Sequence, residues 1–345
     1  MRAFGQDFRA GPGYLNTASI GLPPAVAAEA VADAVADWAT GRARPPSFDG
    51  AVETARAGFA ALIGVAADRV ACGSTVSALV GLLAASVPDG TRVLVVAGEF
   101  GSVTHPFAVQ VRGVTVTEVP PDRLGELAPA YDLVAVSVVQ SADGRIADLD
   151  ALRAAHDGGT RVLLDVTQAA GWLPLRLDWA DAVVGAGYKW LLCPRGSSWL
   201  ALHPSWTSDP TWTPVPHAAG WYGNRDRWGD LYTLGPPRAD GPAGLDTSPD
   251  WLSQVGAAVT LPWLAGLDAE QVRAHCVGLA DSLRERLGMA PAGSAIVAVD
   301  RPGAAERLTG AGLVVASRAG AARVSFHLAN TGDDVDRAAR AIEDR

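Results

Sequence analysis

Four short apolar runs constrain this chain more than any other feature. They are "RVLVVA" (92–97), "LVAVSVV" (133–139), "RVLLDV" (161–166) and "DAVVGAG" (181–187). None alternates apolar with polar residues, so none reads as a strand with one face in water. Segments with helical patterning precede and separate them: 24–41, which opens at a proline, then 49–63, 75–86, 102–110 and 149–156. Buried parallel strands separated by helices fit this order, and the expected fold class is α/β. Ligands of such sheets bind beyond the carboxyl ends of the strands.

The pattern breaks at residues 203–249, which are rich in proline, glycine and tryptophan. Five tryptophans fall between Trp206 and Trp251. The stretch is too long for an ordinary connection and is expected to be a structured functional excursion. Two helices follow (250–266 and 268–287), then strands near 295–299 and 322–328 and a helix from 333. The expected organisation is a large, mainly parallel-sheet domain over 15–250. A small α/β domain over 251–345 follows, with the N-terminal segment 1–14 packed against it.

Lys189 is the one lysine among 345 residues; the other 27 of the 28 basic residues are arginine. An arginine-for-lysine bias from base composition explains the excess. It does not explain the exception. A lysine amine can lose its proton and attack a carbonyl, and a guanidinium cannot. Covalent amine chemistry at Lys189 and chance survival of one lysine both remain open at this point.

The formal net charge of −9 argues against a nucleic-acid partner, which requires a basic face. No apolar run reaches membrane-spanning length, and the first residues lack a signal-peptide core. Cys72, Cys193 and Cys276 are odd in number and far apart, and read as reduced thiols of a cytoplasmic protein. The six scattered histidines form no metal-binding spacing, so no metal is expected.

Three strand ends carry chemistry. "ACGSTVSALVGLLAAS" (71–86) sets Gly73, Ser74 and Thr75 before an apolar helix, which makes either an anion site or an ordinary helix cap. "RVLLDVTQAAG" (161–171) ends a strand on Asp165, with Gln168 three residues on. "DAVVGAGYKW" (181–190) ends a strand just before Lys189. An amine, a carboxylate and a phosphate cradle at neighbouring strand ends are what pyridoxal 5'-phosphate requires: an imine-forming lysine, a partner for the pyridinium nitrogen and a helix end for the phosphate.

With those motifs the chain resembles the class V aminotransferase family of fold-type-I pyridoxal phosphate enzymes, which includes cysteine desulfurases, kynureninases and isopenicillin N epimerase-like proteins. "YLNTASIGLPP" (14–24), with Asn16 and Ser19, looks like the family's substrate loop. "CGSTVSAL" (72–79) matches its phosphate-binding turn. "EFGSVTHPF" (99–107) occupies the place of the ring-stacking residue, here Phe100. In "VQSADGRIADL" (139–149), Gln140 or Ser141 would approach the cofactor's 3′-oxygen, and so would Gln168 of "DVTQAAG". "GYKWLLCPRG" (187–196) carries the imine-forming lysine. "ARVSFHLANTGDDVDR" (322–337) matches the signature whose arginine, Arg323, binds the substrate carboxylate.

The departures are informative. "VVASRAGAAR" (314–323), where desulfurases carry a reactive cysteine, has none, so persulfide chemistry is not expected. Tyr188-Lys189 replaces the desulfurase His-Lys pair and resembles the kynureninase-like branch, whose tyrosine contacts the phosphate. His105 and Cys193 have the bland reading of packed residues. Arg318 reads either as a second carboxylate binder or as a solvated arginine.

The resemblance implies a homodimer acting at the α-carbon of a small amino acid. Transamination is the expected reaction, with a lyase or an epimerase as alternatives. A cofactor-binding scaffold without catalysis fits less well with intact Lys189, Asp165 and Arg323.

Overall fold

The computed structural model describes residues 1–9 and 11–343. Strands β1 (Arg2–Ala3) and β2 (Gln6–Asp7) form a small N-terminal hairpin. Next come β3 (Val70–Gly73), β4 (Arg92–Val96), β5 (Thr115–Val119), β6 (Leu133–Ser137), β7 (Arg161–Asp165), β8 (Ala182–Ala186) and β9 (Ser198–Leu202). These seven build one sheet in the order β3-β9-β8-β7-β6-β4-β5. β9 runs antiparallel to both neighbours and the remaining pairs are parallel.

The unbroken apolar character of the strands now has its reason, because both faces of the sheet are covered. Along β6, Val134 and Val136 enter the core beneath helices Asp49–Ile63 and Trp251–Ala265, while Leu133 and Ala135 enter the core beneath helix Val76–Ser86. Phe59 stacks on Trp199 in the first core, with ring centroids 5.1 Å apart. Parallel strands separated by helices send their carboxyl ends to one edge, and the candidate residues gather there.

The small domain is an antiparallel sheet of β10 (Ile296–Val299), β12 (Ala321–Ser325) and β11 (Ala316–Arg318), backed by helices Ala269–Arg286 and Gly332–Glu343. The N-terminal chain joins it. Tyr14 bridges to Val314 and Asn16 to Ser325 in parallel fashion, and Leu15 is buried in its core. The preceding hairpin touches helices Trp251–Ala265 and Ala269–Arg286: Trp263 donates to the Phe4 carbonyl, and Phe4 meets His275 edge-on.

Packing changes later in the chain than the expected boundary at 250/251. Helix Trp251–Ala265 lies along helices Ala25–Ala39 and Asp49–Ile63 of the large domain. Gly58 and Leu261 approach so closely that a Cβ on Gly58 would meet Leu261 Cβ at 2.6 Å.

The tryptophan-rich excursion is pinned to the sheet. Asp246 is fully buried, pairs with Arg56 at 2.6 Å and accepts from the Cys72 N–H at 2.7 Å, while the Thr247 N–H donates to the Cys72 carbonyl. Asp49 accepts from the Tyr222 hydroxyl and the Trp228 indole. The excursion therefore braces the end of β3, immediately before Gly73-Ser74-Thr75. Asp246→Ala should remove the buried carboxylate from the Arg56 guanidinium and leave it only the half-exposed Glu53 and the Val70 carbonyl. The expected cost is about 3–5 kcal/mol, the scale for breaking a buried ion pair, read as a shifted denaturation midpoint. A loss below about 1 kcal/mol, the scale of exposed pairs, would mean water reaches the site.

Candidate active site

Lys189 lies just past the end of β8, in a turn held on both sides. The Gly187 N–H donates to Ser197 O, the Cys193 N–H to Gly187 O and the Leu192 N–H to Lys189 O. Leu192 adopts φ +57°, a left-handed conformation costing about 1–2 kcal/mol for a residue with a Cβ. Gly21 crosses this turn, donating to Tyr188 O, and only glycine fits: a Cβ there would lie 1.9 Å from the Lys189 carbonyl oxygen.

The Lys189 side chain is 6% exposed, and its Nζ sits 5.4 Å from the Phe100 ring centroid. Burial pulls the amine down to about 8. Asp165 opposes this pull, and Arg323, Arg318 and Arg195 add to it.

Asp165 ends β7 and is 4% exposed. Burial raises its carboxyl, against hydrogen bonding by Thr167 and the field of Lys189. Asp165 and Lys189 feel each other's charge yet form no ion pair among the described residues. They face a shared cavity of about 100 Å³, which Ser74, Thr75, Val76 and Ser77 also line.

Thr75 caps helix Val76–Ser86 by accepting from the Ala78 N–H. The two readings of this turn are compatible, because the first N–H groups of a helix have no intrahelical acceptor. Gly73 contributes backbone only, paired with Ser198 at the end of β3. Phe100 is 45% exposed at the cavity mouth.

Gln168 is buried and spends its whole amide on neighbours. Its Nε2 donates to Ala18 O and Ser141 Oγ, and its Oε1 accepts from the Trp190 indole at 2.7 Å. The two candidates in the loop after β6 separate. Ser141 lines the site, whereas Gln140 lines a different cavity beside Pro121 and Asp148. Gln140 turns its Oε1 back onto the Ser141 N–H. Gln140 is therefore removed from the site, because adjacent residues of this turn point to opposite sides.

Arg323 on β12 is 2% exposed. Its guanidinium donates to Ser141 O at 2.6 Å, to Ser141 Oγ and to Ser19 Oγ at 2.7 Å, and its Nε has no partner. No carboxylate accompanies it, and burial, with Arg318 nearby, lowers it to about 10. A buried cation left unpaired in this way is poised for an anion. It faces a larger cavity of about 660 Å³ that contains Lys189, Phe100, Tyr188 and Ser19. Asn16 does not line this cavity; its Oδ1 is buried without a partner in the N-terminal strand.

Sequence reasoning passed over two neighbours of these candidate residues. Glu99 accepts from the Ser137 N–H and hydroxyl and from the Phe100 N–H, tying the stacking position to the end of β6. The signal was an acid three residues past an apolar strand. Arg195 lies 4.9 Å from the Tyr188 ring centroid and borders both cavities. It stood inside the lysine motif as a charge without a role.

The aminotransferase class-V family matches residues 46–307. The chain belongs to this family. A kynureninase of Stenotrophomonas maltophilia is 30% identical over an alignment of 248 residues, with coverage of 62% of this chain and 57% of the relative. The isopenicillin N epimerase of Streptomyces clavuligerus is 28% identical over 278 residues, 72% of this chain and 67% of the epimerase. The shared stretch is thus under two thirds of the kynureninase. A solved cysteine desulfurase from Escherichia coli is similar at TM-score 0.79 and 21% identity, covering 98% of this chain and 96% of that one. The cystine C-S lyase in complex with cysteine persulfide reaches 0.84 at 18% identity, covering 97% and 98%. The fold is that of the fold-type-I pyridoxal phosphate enzymes.

Pyridoxal 5'-phosphate is the cofactor that membership implies, and the residues present fit it. A buried carboxylate and a weakly basic amine face each other without pairing, a helix start opens beside them, and an aromatic ring lies over the amine.

In protein stripped of cofactor, an amine reagent should modify Lys189 with a midpoint near pH 8, well below the ordinary lysine value. Reactivity should rise as pH increases through that value. Peptide mass spectrometry separates it from the N-terminal amine, and Lys189→Ala should lose the labelled peptide. A midpoint above about 10 would remove the argument from burial.

Proposed function

We propose that this chain is a pyridoxal phosphate-dependent enzyme acting at the α-carbon of a small amino acid, and that its reaction is transamination. The observation that carries the reading is the single buried lysine, held at a weakly basic value opposite a buried aspartate at the next strand end. When bound, the cofactor supplies an aldehyde for the substrate's amine and a ring that accepts the electron pair released at the α-carbon.

The chain's own residues do the rest. Asp165 would hold a cationic ring nitrogen in its buried setting. Ser74, Thr75 and the helix start would hold the phosphate. Phe100 would cover the ring, and Arg323 the substrate's carboxylate. Lys189 would take a proton from the α-carbon and return it elsewhere, and an amine near neutrality suits both directions.

Transamination is favoured by what borders the larger cavity. Lys189 is there, but no carboxylate or imidazole is. One base suffices to move a proton between two carbons. Epimerisation needs a second base on the opposite face, whereas elimination could use protonated Lys189 as its acid and is separated by the turnover test below. Sulfur transfer through an enzyme persulfide is disfavoured because the turn between β11 and β12 has no thiol; Cys193 borders the larger cavity, but burial pushes its thiol up to about 12.

A homodimer fits the same reading. Helix Ala25–Ala39 leaves Val26, Val35 and Trp38 exposed beside the cavity. A cytoplasmic setting accords with three unpaired thiols. No helix among the described residues is long and apolar enough to cross a membrane.

Arg323→Ala should weaken amino-acid binding by about 2–4 kcal/mol, the scale of a shielded charge-assisted contact, and weaken decarboxylated amines far less. Equal losses for acid and amine would make Arg323 structural. In the holoenzyme, an amino acid without a keto acid should give one turnover and then stop, leaving the amino form of the cofactor. Continued ammonia release without an acceptor would overturn transamination in favour of a lyase.

A further inference from the structure

β11 and β12 pair so that Ala316 faces Arg323 and Arg318 faces Ala321. Directly opposed residues of an antiparallel pair share a face, and so do residues two apart on one strand. Arg318 and Arg323 therefore project from the same face of the small sheet as diagonal neighbours, roughly 7–8 Å apart at their roots. Both border the large cavity.

The charges around that cavity do not balance. Lys189, Arg195, Arg318 and Arg323 line it, and no aspartate or glutamate does. Arg195 and Arg318 make no ion pair among the described residues. Arg318 is exposed and donates only to the carbonyl of Ser317.

Anions can be assigned to the others. Arg323 faces the α-carboxylate, and Arg195 borders the phosphate end as well, beside Ser74 and Thr75. Arg318 alone keeps an unanswered charge, on the substrate side of the site. Part of the same cavity's wall is apolar, formed by Pro23, Ala27, Ala28 and Val31. A side chain with carbon next to that wall and an acid at its end would meet both surfaces.

We propose that the substrate is an α-amino acid carrying a second acid group on its side chain, with Arg318 binding that group while Arg323 holds the α-carboxylate. This rests on the functional reading above and narrows its substrate class. The spacing of the two arginine roots suits a short spacer of one to a few carbons better than a bulky hydrophobic side chain. The distal acid is a carboxylate or a phosphate monoester, since a guanidinium fork accepts either.

The test uses the holoenzyme and follows the cofactor's absorbance during titration. The probes are L-aspartate, L-glutamate, L-2-aminoadipate and O-phospho-L-serine, set against L-asparagine, L-glutamine and L-leucine. At least one acidic probe should bind about tenfold or more tighter than its amide or neutral counterpart, the scale of one added charge contact. The length series shows where the acid sits, and phosphoserine separates phosphate from carboxylate preference.

In Arg318→Gln the acid-to-amide ratio should fall toward one, and Arg318→Lys should restore part of it. Because each ratio is measured within one protein, a general loss of stability does not imitate the result. Amides binding as well as acids, or an unchanged ratio in Arg318→Gln, would overturn the proposal and leave the pyridoxal phosphate reading intact. No spectral response to any amino acid would overturn both.

Discussion

The Arg323 guanidinium is the joint on which the site is assembled. It is rooted in the small sheet, reaches into the large domain to bond Ser141, and holds Ser19 of the N-terminal segment. Three parts of the chain far apart in sequence thus meet on one cation. Because no carboxylate neutralises it, burial leaves it weakened and receptive. A stability-driven arrangement would have paired it, as Arg56 is paired with Asp246. Of these two buried arginines, the fold neutralises one and leaves the charge of the other unanswered.

The same logic runs through the neighbouring groups. Lys189 and Asp165 are each destabilised in their charged forms by burial, and their mutual attraction offsets only part of this. They do not collapse into an ion pair, because β7 and β8 set their origins and the turn through Leu192 fixes where Lys189 starts. Gly21 and the bonds across that turn hold the N-terminal segment to the lysine backbone. Gln168, locked by Trp190, Ser141 and Ala18, keeps the floor rigid. Groups whose charged states are disfavoured at rest gain most when a ligand supplies the missing charge.

Much of this was legible along the chain because parallel sheets follow simple rules. Valine-rich runs without alternation marked strands covered on both faces, and chemistry then had to lie just after each run. Asp165, Lys189 and the Ser74-Thr75 turn were singled out as candidates in that way, and they line one cavity. What failed was local direction. Gln140 and Ser141 are adjacent and equally polar, and only the turn geometry decides which one faces the cavity. Glu99 and Arg195 stood beside known motifs, but a charge in a loop carries no sign of what it will touch. Helix Trp251–Ala265 was legible as a helix, yet its buried residues, Gln254 and Thr260 among them, do not say which sheet it covers.

The sequence by itself determined the α/β order of elements, the position of the one lysine side chain, and the acid, cap and arginine motifs that resemble the family's. Those follow from residue type and local periodicity, which depend on neighbours within a few positions. Only the tertiary structure decided that Arg323 is buried without a carboxylate, that the amine falls to about 8, and that Arg318 shares its sheet face. Burial and charge balance are sums over residues brought together from distant parts of the chain, so no local pattern contains them.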